Sequence, residues 1–314
     1  MSAVFEQLFQ VGFLAAIIRI ATPLAFATLG EMISERSGVL NLGIEGIMLL
    51  SAMSGFTAAY FSGNLWVGVL AAAATGALMA AVHAVFTVGL GLSQHVCGIG
   101  ITLFCTGLAY FLFRLLFQDS SNPPTVTSFQ VLAIPILSSI PVLGVAVFSQ
   151  FTLTYAAMIS VPVIAFLLYR TPWGLNLRMA GENPRAADSA GVNVKAVRFQ
   201  AVILGGAFMG IAGAFLTMAQ FNTFTFGVIS GRGWIAIALV VFGRWDPLRC
   251  AGAALLFAFI DAIQLRLQTA GVGHVPYQVF LALPFVFTII AMALMSRNAS
   301  APPALLKAFR KEER

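Results

Sequence analysis

Uninterrupted apolar runs of about 20 residues recur along this chain, and a helix needs a run of that length to cross roughly 30 Å of hydrocarbon. They lie at about 12–31, 38–61, 65–91, 96–118, 148–169, 198–219, 228–243, 248–268 and 276–296. The runs are continuous and do not alternate in and out, which argues against a transmembrane β-barrel. Only 9% of the 314 residues are charged and 60% are apolar, whereas a soluble domain carries about 25% charged residues. A soluble chain so poor in charge could not cover its own surface, so the bilayer is the solvent. The expected fold is an all-α integral membrane protein with nine transmembrane helices, eight and ten being the neighbouring counts.

The basic residues orient these spans. Arg170, Arg178, Arg185, Lys195 and Arg198 crowd one connecting segment, Arg244 and Arg249 flank another, and Arg297, Lys307, Arg310, Lys311 and Arg314 load the C-terminal stretch. Segments 119–147, 220–231 and 269–275 contain none. The positive-inside rule places the basic segments in the cytoplasm, and nine spans then put the N-terminus outside. The formal charge of +6 is spent on this topology and does not point to nucleic acid. No Lys or Arg precedes Arg19, so the basic start of a cleavable signal peptide is missing. Cys97, Cys105 and Cys250 sit in or beside apolar runs without a CxxC and read as small buried hydrophobes.

The chain reads as a single transmembrane domain in two related halves. A first repeat over 12–118 is followed by a linking span and cytoplasmic loop over 148–197. A second repeat then covers 198–296, and a basic cytoplasmic tail covers 297–314. SGVLNLGIEGIMLL and FGVISGRGWIAIALVVFG open corresponding stretches, each glycine-rich and each followed by two apolar spans. Four spans, one linker and four spans place the halves in opposite orientations, and inverted repeats with broken helices are a transporter architecture. The proline-interrupted stretch 127–147 reads as an external loop or a re-entrant segment.

Two segments carry the functional signal. In TPWGLNLRMAGENPRAADSAGVNVKAV, Asn183 suits an N-cap and Pro184 the first helical position, and Arg185–Ala190 suits a short helix that Gly191 ends in a left-handed conformation. Such a helix in a basic loop is either a connector or an element that a cytoplasmic partner grips. In GVLNLGIEG, Gly38, Gly43 and Gly46 weaken the helix, and freed backbone groups at membrane depth must find protein partners or a water-lined cavity. Asn41 and Glu45, four residues apart, either line the solute path or, for Glu45 especially, cap broken backbone or pair with a buried Arg as a structural lock.

GENPRAADSAGVNV resembles the coupling loop of permeases of the simple-sugar, nucleoside and branched-chain amino-acid ABC importers. SERSGVLNLGIEGIMLLSA resembles a second hallmark of that family, in its nucleoside-type branch linked to BMP-type binding proteins, and the likeness runs through most of 20–296. The resemblance implies that Asn183, Pro184, Arg185, Ala186, Ala187, Asp188 and Gly191 couple to an ATPase. It also implies a double-cassette ATPase carrying ATP and magnesium, a second permease subunit, often a paralogue, and an extracytoplasmic solute-binding protein. The assembly would sit among the lipids of a bacterial inner membrane. The sequence contains no GxxxxGK[ST] loop, and only three lysines, Lys195, Lys307 and Lys311, so ATP chemistry is expected on another polypeptide. No cofactor, metal site or catalytic set is expected here, the histidines His83, His95 and His274 being isolated.

Further polar candidates flank the second broken segment. Gln220, Asn222, Thr223 and Arg232 meet solute from outside or belong to a loop that docks the binding protein, and Phe221, Phe224 and Phe226 offer faces for a nucleobase or for packing. Asn222 and Arg232 join Asn41 and Glu45 as expected solute-path residues. Gln94 and His95 read as a plain turn, Arg19 as snorkelling or pairing with Glu31, Glu35 or Glu45, and Asp261 with Arg266 as an internal polar contact. The expected function is inward movement of a small neutral polar solute, a nucleoside first and a simple sugar or branched-chain amino acid second. An ion-coupled secondary transporter is the alternative from another class; it would use an intramembrane carboxylate such as Glu45 or Asp261 and would have no use for the NPRAADSAG loop.

Overall fold

The structure, a computed structural model, describes residues 11–118, 123–269 and 301–309, together with Ala282, Val286, Ile289, Ile290 and Ala293. Helices α1 (Val11–Arg36), α2 (Ile44–Ser62), α3 (Leu65–Ala84) and α4 (Gln94–Leu116) form the first half. Strand β1 (Val131–Ala133), helix α5 (Leu143–Val147) and strand β2 (Ser149–Phe151) lead into α6 (Thr152–Arg170), α7 (Pro172–Glu182) and α8 (Pro184–Ser189). The second half holds α9 (Val194–Phe215), α10 (Arg232–Phe242) and α11 (Pro247–Thr269). Helices α3 and α9 each run on through a π-helical turn, Val85–Gly89 and Leu216–Gln220.

Among the described residues, seven helices are long and apolar enough to cross a membrane: Gly12–Arg36, Ile44–Ser62, Leu65–Gly89, Gln94–Leu116, Thr152–Arg170, Val194–Gln220 and Pro247–Gln268. The run expected at 228–243 is resolved into α10, whose 11 residues reach only about 16 Å at the helical rise. It is therefore half a span. The run at 276–296 lies, but for its isolated positions, outside the described residues. The first run is longer than its apolar pattern implied, because α1 continues from residue 31 through Glu31, Ser34 and Glu35 to Arg36. Glu31, Ser34 and Glu35 are buried, and packing rather than hydropathy carries the helix on. The segment 127–147 is neither plain loop nor spanning helix. Strands β1 and β2 pair antiparallel, Val131 opposite Phe151 and Ala133 opposite Ser149, so a small sheet qualifies the all-α expectation.

Helix α9 is the centre of the molecule and packs against α1, α2 and α3. Small residues let it do so. A Cβ on Gly206 or Gly210 would overlap the backbone of α3 at Gly76 and Ala72, and one on Gly205 would overlap Gly30 of α1. Where the hydrophobic drive between helices is absent, close backbone approach of this kind supplies van der Waals contact. Arg19 is settled differently from the pairing expected: Nε donates to Gln150 Oε1 at 3.0 Å and the guanidinium lies 4.8 Å from the Phe151 ring centre. The short β pair thus gives this intramembrane cation a polar and an aromatic partner.

Candidate solute cavity and the short helix α8

Residues 37–43 break the chain between α1 and α2 at a buried depth. Gly38 has φ +96°, and Asn41 is fully buried. The freed backbone is matched group by group. Leu40 N donates to Gln94 Oε1 at 2.8 Å, and Leu40 O faces His83 Nε2 at 3.1 Å. Asn41 N donates to Glu31 Oε1 at 2.8 Å, and Leu42 O accepts from Thr102 Oγ1 at 2.9 Å. Asn41 Oδ1 accepts from Gly43 N at 3.0 Å and so caps the break from within. A buried unpaired peptide group costs about 1–3 kcal/mol, so this set of partners is what allows non-helical chain here. Gln94, read from sequence as part of a plain turn, is one of the closing residues: it is 5% exposed and its Nε2 also donates to Gly38 O.

The second break, 221–231, carries left-handed residues at Asn222, Gly227, Ser230 and Gly231. It is joined to the first through Glu45, in the opening turn of α2. Glu45 Oε1 accepts from Gly231 N and Oε2 from Gly233 N, each at 2.8 Å. One carboxylate thus takes two donors from the start of α10, where the helix dipole is positive. Gly233 is required for this approach, since a Cβ there would stand 2.7 Å from Glu45 Cα. Of the roles the sequence left open for Glu45, the geometry observed is the cap on broken backbone, with Arg232 near enough to attract its charge.

A cavity of about 500 Å³ opens beside this junction. Its lining includes Gln220, Phe221, Phe226, Arg232, Asp261 and Gln264, from the end of the α9 span, the second break, α10 and α11. The volume is in the range of small-molecule sites. Arg232 lies close enough to Asp261 and Glu45 for their charges to attract, so the cavity carries compensated charge. Gln220 Oε1 is a buried acceptor with no hydrogen-bond partner among the described residues, and Phe221 and Phe226 are 45% and 54% exposed. Of the expected path residues, the described lining includes Arg232 and omits Asn41, Glu45 and Asn222. Asn222 instead shapes the loop with φ +58°, its carbonyl accepting from Val126 N at 2.9 Å. Sequence reading missed Gln264 altogether and offered Arg266 as a contact for Asp261, whereas Asp261 lines the cavity with Arg232, near enough for their charges to attract, and Arg266 lies over the Phe13 ring at 4.7 Å. The only advance sign of Gln264 is a polar residue within an apolar span.

At the other segment singled out from the sequence, α8 has the local form its residues dictate. Asn183 Oδ1 accepts from Ala186 N at 3.1 Å, Pro184 occupies the first position, and Gly191 has φ +86°. Ala187 is fully buried, in an apolar cluster with Leu177, Val194 and Trp245, while Arg185, Ala186 and Ser189 are exposed. The helix is therefore pinned by one face and open on the other.

The family model described as "Branched-chain amino acid transport system / permease component" matches residues 13–300. TsgC13 of Haloferax volcanii, provisionally named a glucose ABC transporter permease protein, is 38% identical over 97% of this chain and 99% of its own length. The nucleoside ABC transporter permease protein NupC of Lactococcus lactis is 36% identical over 90% of this chain and 92% of its own. TsgB13 of Haloferax volcanii, a glucose ABC transporter permease protein, is 26% identical over 89% of this chain and 76% of its own. Among solved structures, an ABC transporter of metal-chelate type in an inward-facing conformation aligns with a TM-score of 0.51 at 16% identity, covering 95% of this chain and 91% of that one. This last likeness concerns the fold.

Proposed function

The chain belongs to the branched-chain amino acid transport system permease family, and from that premise we propose that it moves a neutral ring-bearing solute, a nucleoside, inward through the cavity beside Arg232. Belonging to an ABC permease family makes it a multi-pass transport component rather than an enzyme, which sets aside the ion-coupled alternative. The single observation that carries the cargo class is the cavity's mixture of compensated charge, an unfilled acceptor at Gln220 and two exposed phenylalanine faces. A fixed ion in the cargo would demand an unbalanced charge here. A nucleoside supplies a π face for the rings and hydroxyl donors for Gln220. NupC supports this cargo. TsgC13, at comparable identity, supports a hexose as the second reading, since sugars also stack on aromatic faces and bring hydroxyl donors.

Energy comes from a double-cassette ATPase in the cytoplasm that grips α8, and solute arrives from an extracytoplasmic binding protein. The second permease subunit is a paralogue, a reading supported by the likeness of this chain to both TsgC13 and TsgB13 of one organism. Two half-membrane breaks joined through Glu45, one in each half, support two inverted repeats rocking about the junction. Closure of the ATPase moves α8, and the repeats pass solute from the outer to the inner side.

Two measurements test this. In proteoliposomes holding the complete importer, uptake of labelled nucleoside is expected to require ATP and to be competed by other nucleosides but not by glucose. Gln220→Ala is expected to raise the KM for nucleoside about fivefold or more, the loss of about 1 kcal/mol from one hydrogen bond. Competition by glucose alone transfers the cargo to the second reading. For topology, Glu182→Cys is expected to react with a membrane-impermeant maleimide only from the cytoplasmic side; labelling from outside intact cells inverts the arrangement.

A further inference from the structure

The last apolar run ends near residue 296, yet residues 301–309 return to the body of the protein. Ala304, 3% exposed, donates its N–H to Gly181 O at 2.9 Å, at the end of α7. Leu305 and Phe309 pack against the cluster that contains Ala187 of α8. Open grooves of about 420 and 370 Å³ lie along α8, the first between Asn183–Arg185 and Pro303–Phe309, the second between Asp188–Lys195 and Phe309. The returning segment is therefore attached at chosen points and leaves space beside the helix.

Arg198 makes the attachment three-way. At 1% exposure it is buried, and its guanidinium donates only to backbone in the contacts observed: Nε to Ser37 O at 3.0 Å, Nη2 to Ala180 O at 3.2 Å and Nη1 to Lys307 O at 2.9 Å. Those carbonyls belong to the first helix break, to α7 just before α8, and to the returning segment. The planar fork of arginine holds its donors at fixed angles, which the rotating ammonium of lysine does not. Gly38 leaves room for it: a Cβ there would stand 2.7 Å from Arg198 Nη2 and 3.1 Å from Ala304 O. Gly38 also has φ +96°, so glycine is required there on both grounds.

We infer that Arg198 and segment 301–309 form a brace that ties α7–α8 to the broken backbone at Ser37, so that movement of α8 is delivered to the break and not dissipated in its loop. Arg198 is a positioning residue here; it touches neither the cavity nor the open face of α8. From Ser37 the route continues through Asn41, held by Glu31, to Glu45 and its two donors at the start of α10. This inference rests on α8 being the element that the ATPase grips.

The test uses the full-length permease in the complete reconstituted importer, with uptake per ATP hydrolysed as the readout. Arg198→Lys keeps the charge and loses the fork. Ala304→Asp places a charge in the seat of the returning segment. Both are expected to lower uptake per ATP about tenfold, within the span of coupling free energies between sites, while ATP hydrolysis and recovery of the assembled complex stay near wild type. A merely structural role would reduce recovery and leave the ratio unchanged in what assembles. A wild-type ratio in Ala304→Asp overturns the brace, and that variant decides alone if Arg198→Lys does not assemble, because residue 304 lies past the last apolar run. If Ala187→Asp in α8 uncouples the importer and the brace variants do not, the grip on α8 stands and only the brace falls.

Discussion

Glu45→Ala is expected to reduce solute uptake by about 30-fold to 1,000-fold while the protein still inserts in the membrane. The carboxylate accepts from Gly231 N and Gly233 N at 2.8 Å each, and alanine leaves both without an acceptor in a partly buried junction. Each unmet donor costs about 1–2 kcal/mol in such a site, and about 1.4 kcal/mol corresponds to a factor of ten in the population of the competent arrangement. The affected contact joins residues 186 and 188 positions apart, so the damage falls between the two halves rather than within one. Glu45→Gln retains one acceptor oxygen and is expected to lie between alanine and wild type. Uptake by the reconstituted importer, normalised to the complex recovered, is the measurement. Wild-type uptake by the alanine variant would remove Glu45 from the junction's mechanics.

Ala187→Asp is expected to separate ATP hydrolysis from transport. Ala187 is fully buried and is the face by which α8 docks on the cluster with Leu177, Val194 and Trp245. An aspartate there would enter an apolar cluster, and an uncompensated buried charge costs about 3 kcal/mol or more. A helix of six residues is too short to hold its place alone, so it leaves the seat. ATP hydrolysis is then expected to continue while uptake falls about 100-fold, the population change equivalent to that cost. Simultaneous assays of phosphate release and solute uptake decide it. Uptake that keeps pace with hydrolysis would show that α8 is a connector and nothing more.

The sequence by itself determined the features that depend on neighbours along the chain. Hydropathy located the seven spans found among the described residues, because a continuous apolar stretch has one cheap environment and a helix is how its backbone enters it, but it took the half-span α10 for a full one. Asn183, Pro184 and Gly191 fixed both ends of α8, because capping and left-handed turns are settled within three or four residues. Glycine density announced the two breaks.

Only the tertiary structure decided what fills them. Leu40 meets Gln94 across 54 positions, Gly231 meets Glu45 across 186, and Arg198 meets Lys307 across 109. Nothing in the local pattern of Gln94 or Arg198 distinguishes a residue that closes buried backbone from one in a polar connecting segment. The cavity is of the same kind: Gln220, Asp261 and Gln264 are brought together from the α9 span and α11 by helix packing. A buried polar group is defined by the partner it reaches, and in the bilayer that partner is chosen by which helices lie side by side.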